Sequence, residues 1–342
     1  MAADLAPPPA TPLLVLRRLW QRVLGPFTNP LASKEMLARM RSPRTFVIAL
    51  LELLPLSAIA AGLYVMIANS SNADSSSNAS VGRLFFAGIS AVELGLICLL
   101  APALTADLIS GERERQTLDL LLVTPLSRRQ IVVGKLVAAL GSLLLLIVLA
   151  LPIQAVAVLI GGVGLEELAL SLIILTLTAT TYGCVGLYWS ARLRTTRAAM
   201  LLSYVTTLLG TAGLPLMILL LAIGDGLFRL DLDDLLWPLI WLVNGPEQVS
   251  RRLENGDPAS IHAELLHIEA GVGQLLAASN PLFAGITSAA GLVAGRSPVG
   301  FETVAQVELL YVAPWLLFAI MHVLASLLLI WLTGRALRRS RV

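Results

Sequence analysis

The sequence predicts an all-α integral membrane protein built as a bundle of six transmembrane helices. Apolar residues make up 57% of the 342-residue chain and charged residues 13%, whereas soluble domains contain about 45–50% and about 25%. Six apolar stretches are long enough to span a membrane, and almost all basic residues lie on one side of it. The net charge of +2 says nothing about nucleic acid, because the arginines cluster at the ends of the apolar runs. We expect a lipid membrane, and no nucleic acid, as a partner.

The six predicted spans follow from the thickness of the bilayer. A helix rises about 1.5 Å per residue and the hydrocarbon layer is about 30 Å thick, so a span needs about 20 mostly apolar residues. The stretches that satisfy this requirement lie at about 46–67, 84–108, 131–160, 168–189, 199–223 and 307–332. Prolines inside them are compatible with spanning helices, because neighbouring helices can satisfy the freed carbonyl groups.

The distribution of basic residues predicts the orientation. Most of the 24 Lys and Arg residues lie before span 1, around the 2–3 loop, in the 4–5 loop or in the C-terminal tail; the exceptions are Arg83, Arg229, Arg251, Arg252 and Arg296. Because cytoplasmic segments are enriched in Lys and Arg, we expect both termini to be cytoplasmic in a multi-pass protein of the plasma membrane. This divides the chain into a cytoplasmic N-terminal segment at 1–45 and a six-span domain at 46–342, with a long extracytoplasmic 5–6 insertion at 224–306.

The N-terminal segment contains an amphipathic pattern at residues 12–24. Leucines and Trp20 fall on one face, and Arg17, Arg18 and Arg22 fall on or beside the other. This pattern is typical of an interfacial helix, which buries its apolar face in lipid and places its cations at the headgroups. The alternative is a solvated helix that packs on protein.

The 2–3 loop predicts a short, charged helix on the cytoplasmic side. It reads SGERERQTLDLLLVTPLSRRQIVVGK, with Glu112 and Glu114 in a first turn, where negative charge complements the helix dipole. Leucines follow at helical spacing, Pro125 ends that helix, and Ser127 with Gln130 forms a capping-box pattern that opens span 3. A solvated connector has no use for a leucine face, so we expect this helix to dock into a groove of another protein.

Residues 109–136 resemble the signature of type-2 ABC transporter permeases, and residues 29–41 and 186–196 are also similar to that family. In the family, the 2–3 loop carries a coupling helix that contacts the ATPase subunit. The resemblance implies an exporter with two ATPase chains and two permease chains, identical or different. It assigns the ATPase-coupling role to Gly111, Glu112, Arg113, Glu114, Arg115, Thr117, Leu118, Leu121 and Leu122.

The chain itself contains no pattern for nucleotide hydrolysis. A P-loop needs G-x-x-x-x-G-K-[ST], and neither of the two lysines, Lys34 and Lys135, stands in that pattern. We therefore predict no catalytic residues and no cofactor in this chain, with ATP and Mg²⁺ bound by the partner subunit. His262 and His267 are spaced i,i+5, which places them apart on a helix, and we predict no metal site.

Three polar residues inside the spans form a possible transport path. An ionisable group in hydrocarbon costs about 2.5–3.5 kcal/mol on insertion scales, so Glu93 and His322 need a reason to be there, and Gln154 adds polarity in span 3. One interpretation is that they face a central cavity and contact a hydrophobic or amphiphilic substrate. The alternative is that they hydrogen-bond neighbouring helices, or that Glu93 is protonated.

Two other functions remain open on the residues alone. A secondary transporter could use Glu93 or His322 as a proton relay, but such folds often contain two similar halves, and no clear internal repeat is visible. A membrane-embedded enzyme or an assembly scaffold is the second alternative. An enzyme would need acidic or histidine clusters near a membrane face, and the sequence contains none.

Overall fold

The computed structural model describes residues 30–69, 75–118, 123, 128–228, 274–275, 278–293, 299–304 and 307–339. The predicted interfacial residues Arg17, Arg18, Trp20 and Arg22 lie outside this part of the chain, as do Leu121 and Leu122. The interfacial helix therefore stays a prediction.

The described residues form nine helices and one hairpin. The helices are α1 (Pro30–Met40), α2 (Pro43–Asn69), α3 (Ser75–Thr105), α4 (Ser110–Glu114), α5 (Arg128–Ile160), α6 (Leu165–Arg192), α7 (Thr196–Phe228), α8 (Pro281–Val293) and α9 (Pro314–Arg339). The strands β1 (Val299–Val304) and β2 (Val307–Val312) pair antiparallel, with Val304 opposite Val307.

Six helices of the described part, α2, α3, α5, α6, α7 and α9, are long and apolar enough to cross a membrane. The prediction of an all-α, six-span membrane bundle is thus confirmed. The start of span 6 was wrong, because residues 307–312 form β2 and the spanning helix begins at Pro314. Proline favours the first position of a helix, and the run Val-Glu-Leu-Leu-Tyr-Val is rich in residues that favour strands.

Helix α6 lies at the centre of the bundle. It packs against α3, α5, α7, α8 and α9, and 61% of its spanning stretch is buried, compared with 11% for α2 and 17% for α7. Small residues allow the close packing: a Cβ added at Gly186 would lie 2.0 Å from Thr105 Oγ1 and 3.4 Å from the amide nitrogen of Ala106. Gly186 therefore leaves the space that the Thr105 side chain occupies at the end of α3.

We call the end of the bundle that holds α1, α4 and the α6–α7 junction the basic end. At the opposite end, α3 and α5 also meet through their backbones, since a Cβ on Gly82 would lie 1.8 Å from the carbonyl oxygen of Gly161. Gly161 and its neighbour Gly162 have φ values of +99° and +89°, a region that favours glycine. The Arg83 Nε donates a hydrogen bond of 2.9 Å to the carbonyl oxygen of Gly162.

Candidate functional site

The three segments that resemble the permease family meet at the basic end, and Lys135 of α5 joins two of them. Its ammonium group lies 3.0 Å from Glu35 Oε1 on α1 and 3.1 Å from Glu112 Oε1 on α4. The Lys135 side chain is only 5% exposed, so both ion pairs lie in surroundings that screen charge weakly. The Thr117 hydroxyl donates to Glu112 Oε2, which fixes the second oxygen of that carboxylate.

Arg113 binds the carboxyl end of α6. Its guanidinium donates to the carbonyl oxygen of Leu193 at 2.5 Å and to that of Ala191 at 3.3 Å. The last carbonyl groups of a helix lack partners within the helix and carry partial negative charge. A cation at this position therefore satisfies and stabilises the end of α6.

Glu114 binds the amino end of α7. Its Oε1 accepts a 2.7 Å hydrogen bond from the backbone amide of Thr196, the first residue of that helix. The first amides of a helix are unpaired and positively polarised, so a carboxylate is the complementary group. Two adjacent residues of α4, Arg113 and Glu114, thus hold the end of α6 and the start of α7.

A buried serine network fixes the entry into α4. Ser190 of α6 accepts hydrogen bonds of 2.9 Å from the backbone amides of both Ile109 and Ser110, and its hydroxyl donates to Ser110 Oγ at 3.2 Å. The Ser110 hydroxyl in turn donates to the carbonyl oxygen of Ala106 at 2.7 Å. Ser190 and Ser110 are fully buried, so these bonds replace water for two amides that begin a short helix.

The predicted leucine face does not point outwards at Leu118. This side chain is 8% exposed and packs in a core cluster with Leu108, Val132, Leu136 and Leu187. Leu118 thus packs within the chain, whereas Leu121 and Leu122 lie outside the described residues, and the docking of the leucine face into another protein stays a prediction. Helix α4 is also shorter than predicted, since it ends at Glu114 and Gln116 takes a φ of +58°.

Among the described residues between α3 and α5, the exposed side chains are polar except for that of Val123, which we call the apolar tip. Arg115 and Gln116 are exposed, and Val123 is 81% exposed. Gly111 and Thr117 are half-buried. Sequence reasoning missed Val123, although a valine next to a proline-ended loop on a basic face was the available signal.

Two of the three predicted transport-path residues meet between α3 and α5. Glu93 and Gln154 are both fully buried, and Gln154 Nε2 donates to Glu93 Oε2. Glu52 of α2, which was not among the predicted site residues, is 1% exposed and packs in the same region of the bundle. A carboxyl group inside the apolar run of span 1, nearer the start of the span, was the signal for it.

His322 has different surroundings. Its Nδ1 lies 3.0 Å from the carbonyl oxygen of Phe318 on its own helix, and its ring stacks on Phe318 with centroids 3.8 Å apart. Its backbone carbonyl accepts a 3.4 Å hydrogen bond from Thr181 of α6. These contacts favour the structural interpretation of His322, whose role in transport stays a prediction.

A largely apolar groove opens between α3, α6 and α8. It has a volume of about 320 Å³, and its wall includes Phe86, Leu94, Ile174 and Ile286. Its polar lining residues are Glu167, Ser90 and Ser171, and the two serine hydroxyl oxygens lie 3.4 Å apart. Such a surface suits an apolar ligand with few hydrogen-bonding groups.

Residues 30–331 match the sequence model of the family described as ABC-2 family transporter protein. The chain belongs to this family. The predicted type-2 ABC transporter permease is confirmed, and the match covers all of the spanning helices except the last residues of α9. No match was found among curated proteins. The chain is thus the multi-pass membrane permease of an ABC transporter, a transport component rather than the catalytic one, and its family implies an ATPase partner.

Proposed function

We propose that this permease receives mechanical work from a separate ATPase subunit through α4, and that it exports an apolar or amphiphilic substrate. The observation that carries the proposal is the set of links made by α4. Through Glu112 it is tied to α5 and α1, and through Arg113 and Glu114 to α6 and α7. A displacement of α4 therefore moves three spanning helices.

The links are of a kind that transmits displacement. Charge-assisted hydrogen bonds are shorter and about twice as strong as neutral ones, and each of these joins α4 directly to a helix end or to a buried lysine. Leu118 adds an apolar anchor just beyond α4. A flexible connector would absorb movement of the partner, whereas this segment passes it on.

The surface that we assign to the ATPase comprises Arg115, Gln116 and Val123. These residues are exposed and lie on the segment between α3 and α5. They combine one exposed apolar side chain with two polar ones, and interfaces between proteins have an apolar centre and a polar rim. ATP and Mg²⁺ belong to the partner in this proposal, because Lys135 is buried and already paired with two carboxylates, which leaves it in no position to bind a phosphate.

The groove between α3, α6 and α8 supports an apolar or amphiphilic substrate. Its wall is mostly hydrocarbon, and its few hydroxyl groups could orient one polar end of the ligand. The most lightly buried spans, α2 and α7, leave faces that lipid or a second permease chain, identical or different, can cover. In this proposal the protein lies in the plasma membrane, and both of its termini and the basic end face the cytoplasm.

The ATPase surface is tested by co-purification. A tagged wild-type chain, expressed together with its genomic neighbours, is expected to retain a P-loop ATPase, which mass spectrometry identifies. We expect Arg115→Glu and Val123→Asp each to reduce the retained ATPase at least tenfold, because one reverses charge and the other places a carboxylate in the apolar tip. The matched control is Glu166→Lys, an exposed change at the opposite end of the bundle, which should retain the wild-type amount.

Two outcomes contradict the coupling role. One is a wild-type chain that retains no ATPase, and the other is unchanged retention in both variants. Neither Glu114 nor Leu118 is suitable for this test, because the first caps α7 and the second lies in the core, so their substitution would disturb the permease itself.

The orientation is tested separately by labelling. Gln116→Cys, in a chain whose Cys98 and Cys184 are replaced by alanine, should react with a membrane-impermeant maleimide only after the cytoplasmic face is opened. Labelling from the extracytoplasmic side of intact cells would reverse the orientation and remove α4 from reach of an ATPase.

A further inference from the structure

Three buried polar side chains lie inside the membrane on α2, α3 and α5, and two of them, Glu93 and Gln154, are in contact. Glu52 of α2, Glu93 of α3 and Gln154 of α5 are at most 1% exposed. The three helices pack against one another pairwise, and Leu56 and Ile89, each one turn from a carboxyl, lie in one buried apolar cluster. The polar groups are thus enclosed by hydrocarbon on the described sides.

The cluster contains more acceptors than donors. Its one hydrogen bond runs from Gln154 Nε2 to Glu93 Oε2. Both oxygens of Glu52, the Glu93 Oε1 and the Gln154 Oε1 are buried and have no partner. All four are acceptor atoms when the carboxyl groups are ionised, so what the cluster lacks is positive charge or hydrogen.

No side chain of the described part supplies that charge. Both ion pairs found there involve Lys135, which lies at the basic end. Among the titratable groups on helices packed against the cluster, Cys98 and Tyr182 contact Thr211. His322 of α9 contacts Phe318 and Thr181, and Cys184 of α6 packs in the cluster that contains Leu118. The group that does interact electrostatically with Glu93 is Glu52, and it has the same sign.

Two carboxylates in an apolar environment repel each other and lose their hydration, and one such group keeps a proton under these conditions. A proton bound by either carboxyl group also supplies a donor, since a protonated carboxyl has one O–H group. Metal binding would need several oxygen ligands arranged around an ion, whereas a proton needs only one carboxyl group.

We propose that Glu52 and Glu93 form a proton-binding site within the membrane, with Gln154 orienting Glu93. The pair takes up a proton from water as one carboxylate becomes a carboxylic acid, and it releases that proton to water when the acid ionises again. Because the two groups stand on different helices, proton binding depends on the packing of α2 against α3. Separation of these helices would remove the repulsion and favour release.

Infrared spectroscopy of the purified chain in lipid nanodiscs tests the site without reference to transport. The carbonyl band of carboxylic acids is followed as the pH is raised from about 6, where exposed Asp and Glu side chains, with ordinary pKa values of about 4, are already ionised. We expect the wild type to lose this band in two separate steps, because two interacting carboxyl groups titrate as a pair. Glu52→Gln and Glu93→Gln should each give one step, and the double variant should give none.

The matched control is Glu166→Gln, whose exposed carboxylate lies at the start of α6; it should titrate like the wild type. Absence of a buried acid band in the wild type would overturn the proposal, as would a wild-type pattern in the double variant. Loss of the acid band when NaCl is added at constant pH and ionic strength would also overturn it, because the carboxyl groups would then bind a metal ion in place of the proton. The wild-type titration decides the matter even if a variant fails to fold.

Discussion

Replacement of Lys135 by methionine tests the junction at the basic end most directly. The change removes the ammonium group that joins α1, α4 and α5 while it keeps a long apolar side chain. Glu35 and Glu112 then remain as two carboxylates without the cation between them. We expect a less stable permease, and we expect the loss to come from the abandoned carboxylates more than from the lost packing.

The magnitude follows from exposure. Breaking a fully buried ion pair costs about 3–5 kcal/mol, whereas a surface pair is worth about 0–1 kcal/mol. The Lys135 side chain is 5% exposed, but those of Glu35 and Glu112 are 23% and 33% exposed, so water partly screens the charges that remain. We therefore expect Lys135→Met to lower the free energy of unfolding by about 2–3 kcal/mol.

The assay is a double-mutant cycle in mixed detergent micelles, with unfolding by SDS followed by circular dichroism. The second change is Glu112→Gln, which removes one of the two carboxylates. The double variant should be more stable than the sum of the two single losses predicts, with a coupling energy of about 1–2 kcal/mol. If the two losses add within about 0.5 kcal/mol, Lys135 and Glu112 do not interact in the folded protein and the junction is not as described.

Three further changes probe the attachment of α4 and α6. Ser190→Ala leaves two buried amides without an acceptor and should lower the free energy of unfolding by about 2–4 kcal/mol. Ser203→Ala removes only a bond to its own helix and should lower it by less than about 1 kcal/mol. Gly186→Ala should lower the free energy of unfolding by about 1–3 kcal/mol, because the added methyl group overpacks the contact. Gly95→Ala places its Cβ in open space and should leave the free energy of unfolding unchanged or raise it by up to about 1 kcal/mol. Arg113→Met should cost about 1–3 kcal/mol and should accelerate amide hydrogen exchange at the end of α6.

Each comparison has an outcome that would contradict it. Equal losses for the two serines would mean that the amides before α4 have other partners. Equal effects of the two glycine changes would mean that α3 and α6 are farther apart than described. Unchanged hydrogen exchange in the Arg113 variant would mean that its guanidinium does not cap α6. All three are measured as free energies of unfolding in the same micelles, with exchange followed by mass spectrometry.

The spans were predictable because hydrophobic length is a local property of the sequence. The error at span 6 has a local cause too: hydropathy does not distinguish residues 307–312 from the helix that follows, and only Pro314 marks the boundary. The charged residues of α4 were recognised by their pattern. Their individual roles were not predictable, because Arg113 and Glu114 bind helix ends about 80 residues away in the chain.

The direction of a side chain was harder to predict than the helix that carries it. Leu118 has helical spacing with its neighbours, but periodicity does not say whether an apolar face meets a partner or the protein's own core. The structure places it in the core. Glu52 and Glu93 illustrate the same point, since each was visible as an unusual residue in an apolar run, whereas their proximity depends on how α2, α3 and α5 pack.

The contact between Gly82 and Gly161, far from the basic end, is a point about which α3 and α5 can pivot. The contact leaves no side chain to slide against, and the Arg83 hydrogen bond closes it. Helix α5 has 33 residues, so at about 1.5 Å per residue it is about 50 Å long, and a swing of about 5° about this point carries its Arg128 end through about 4 Å. A small change of angle at the glycine contact thus becomes, at the end of α5 beside α4, a displacement about as large as a side chain.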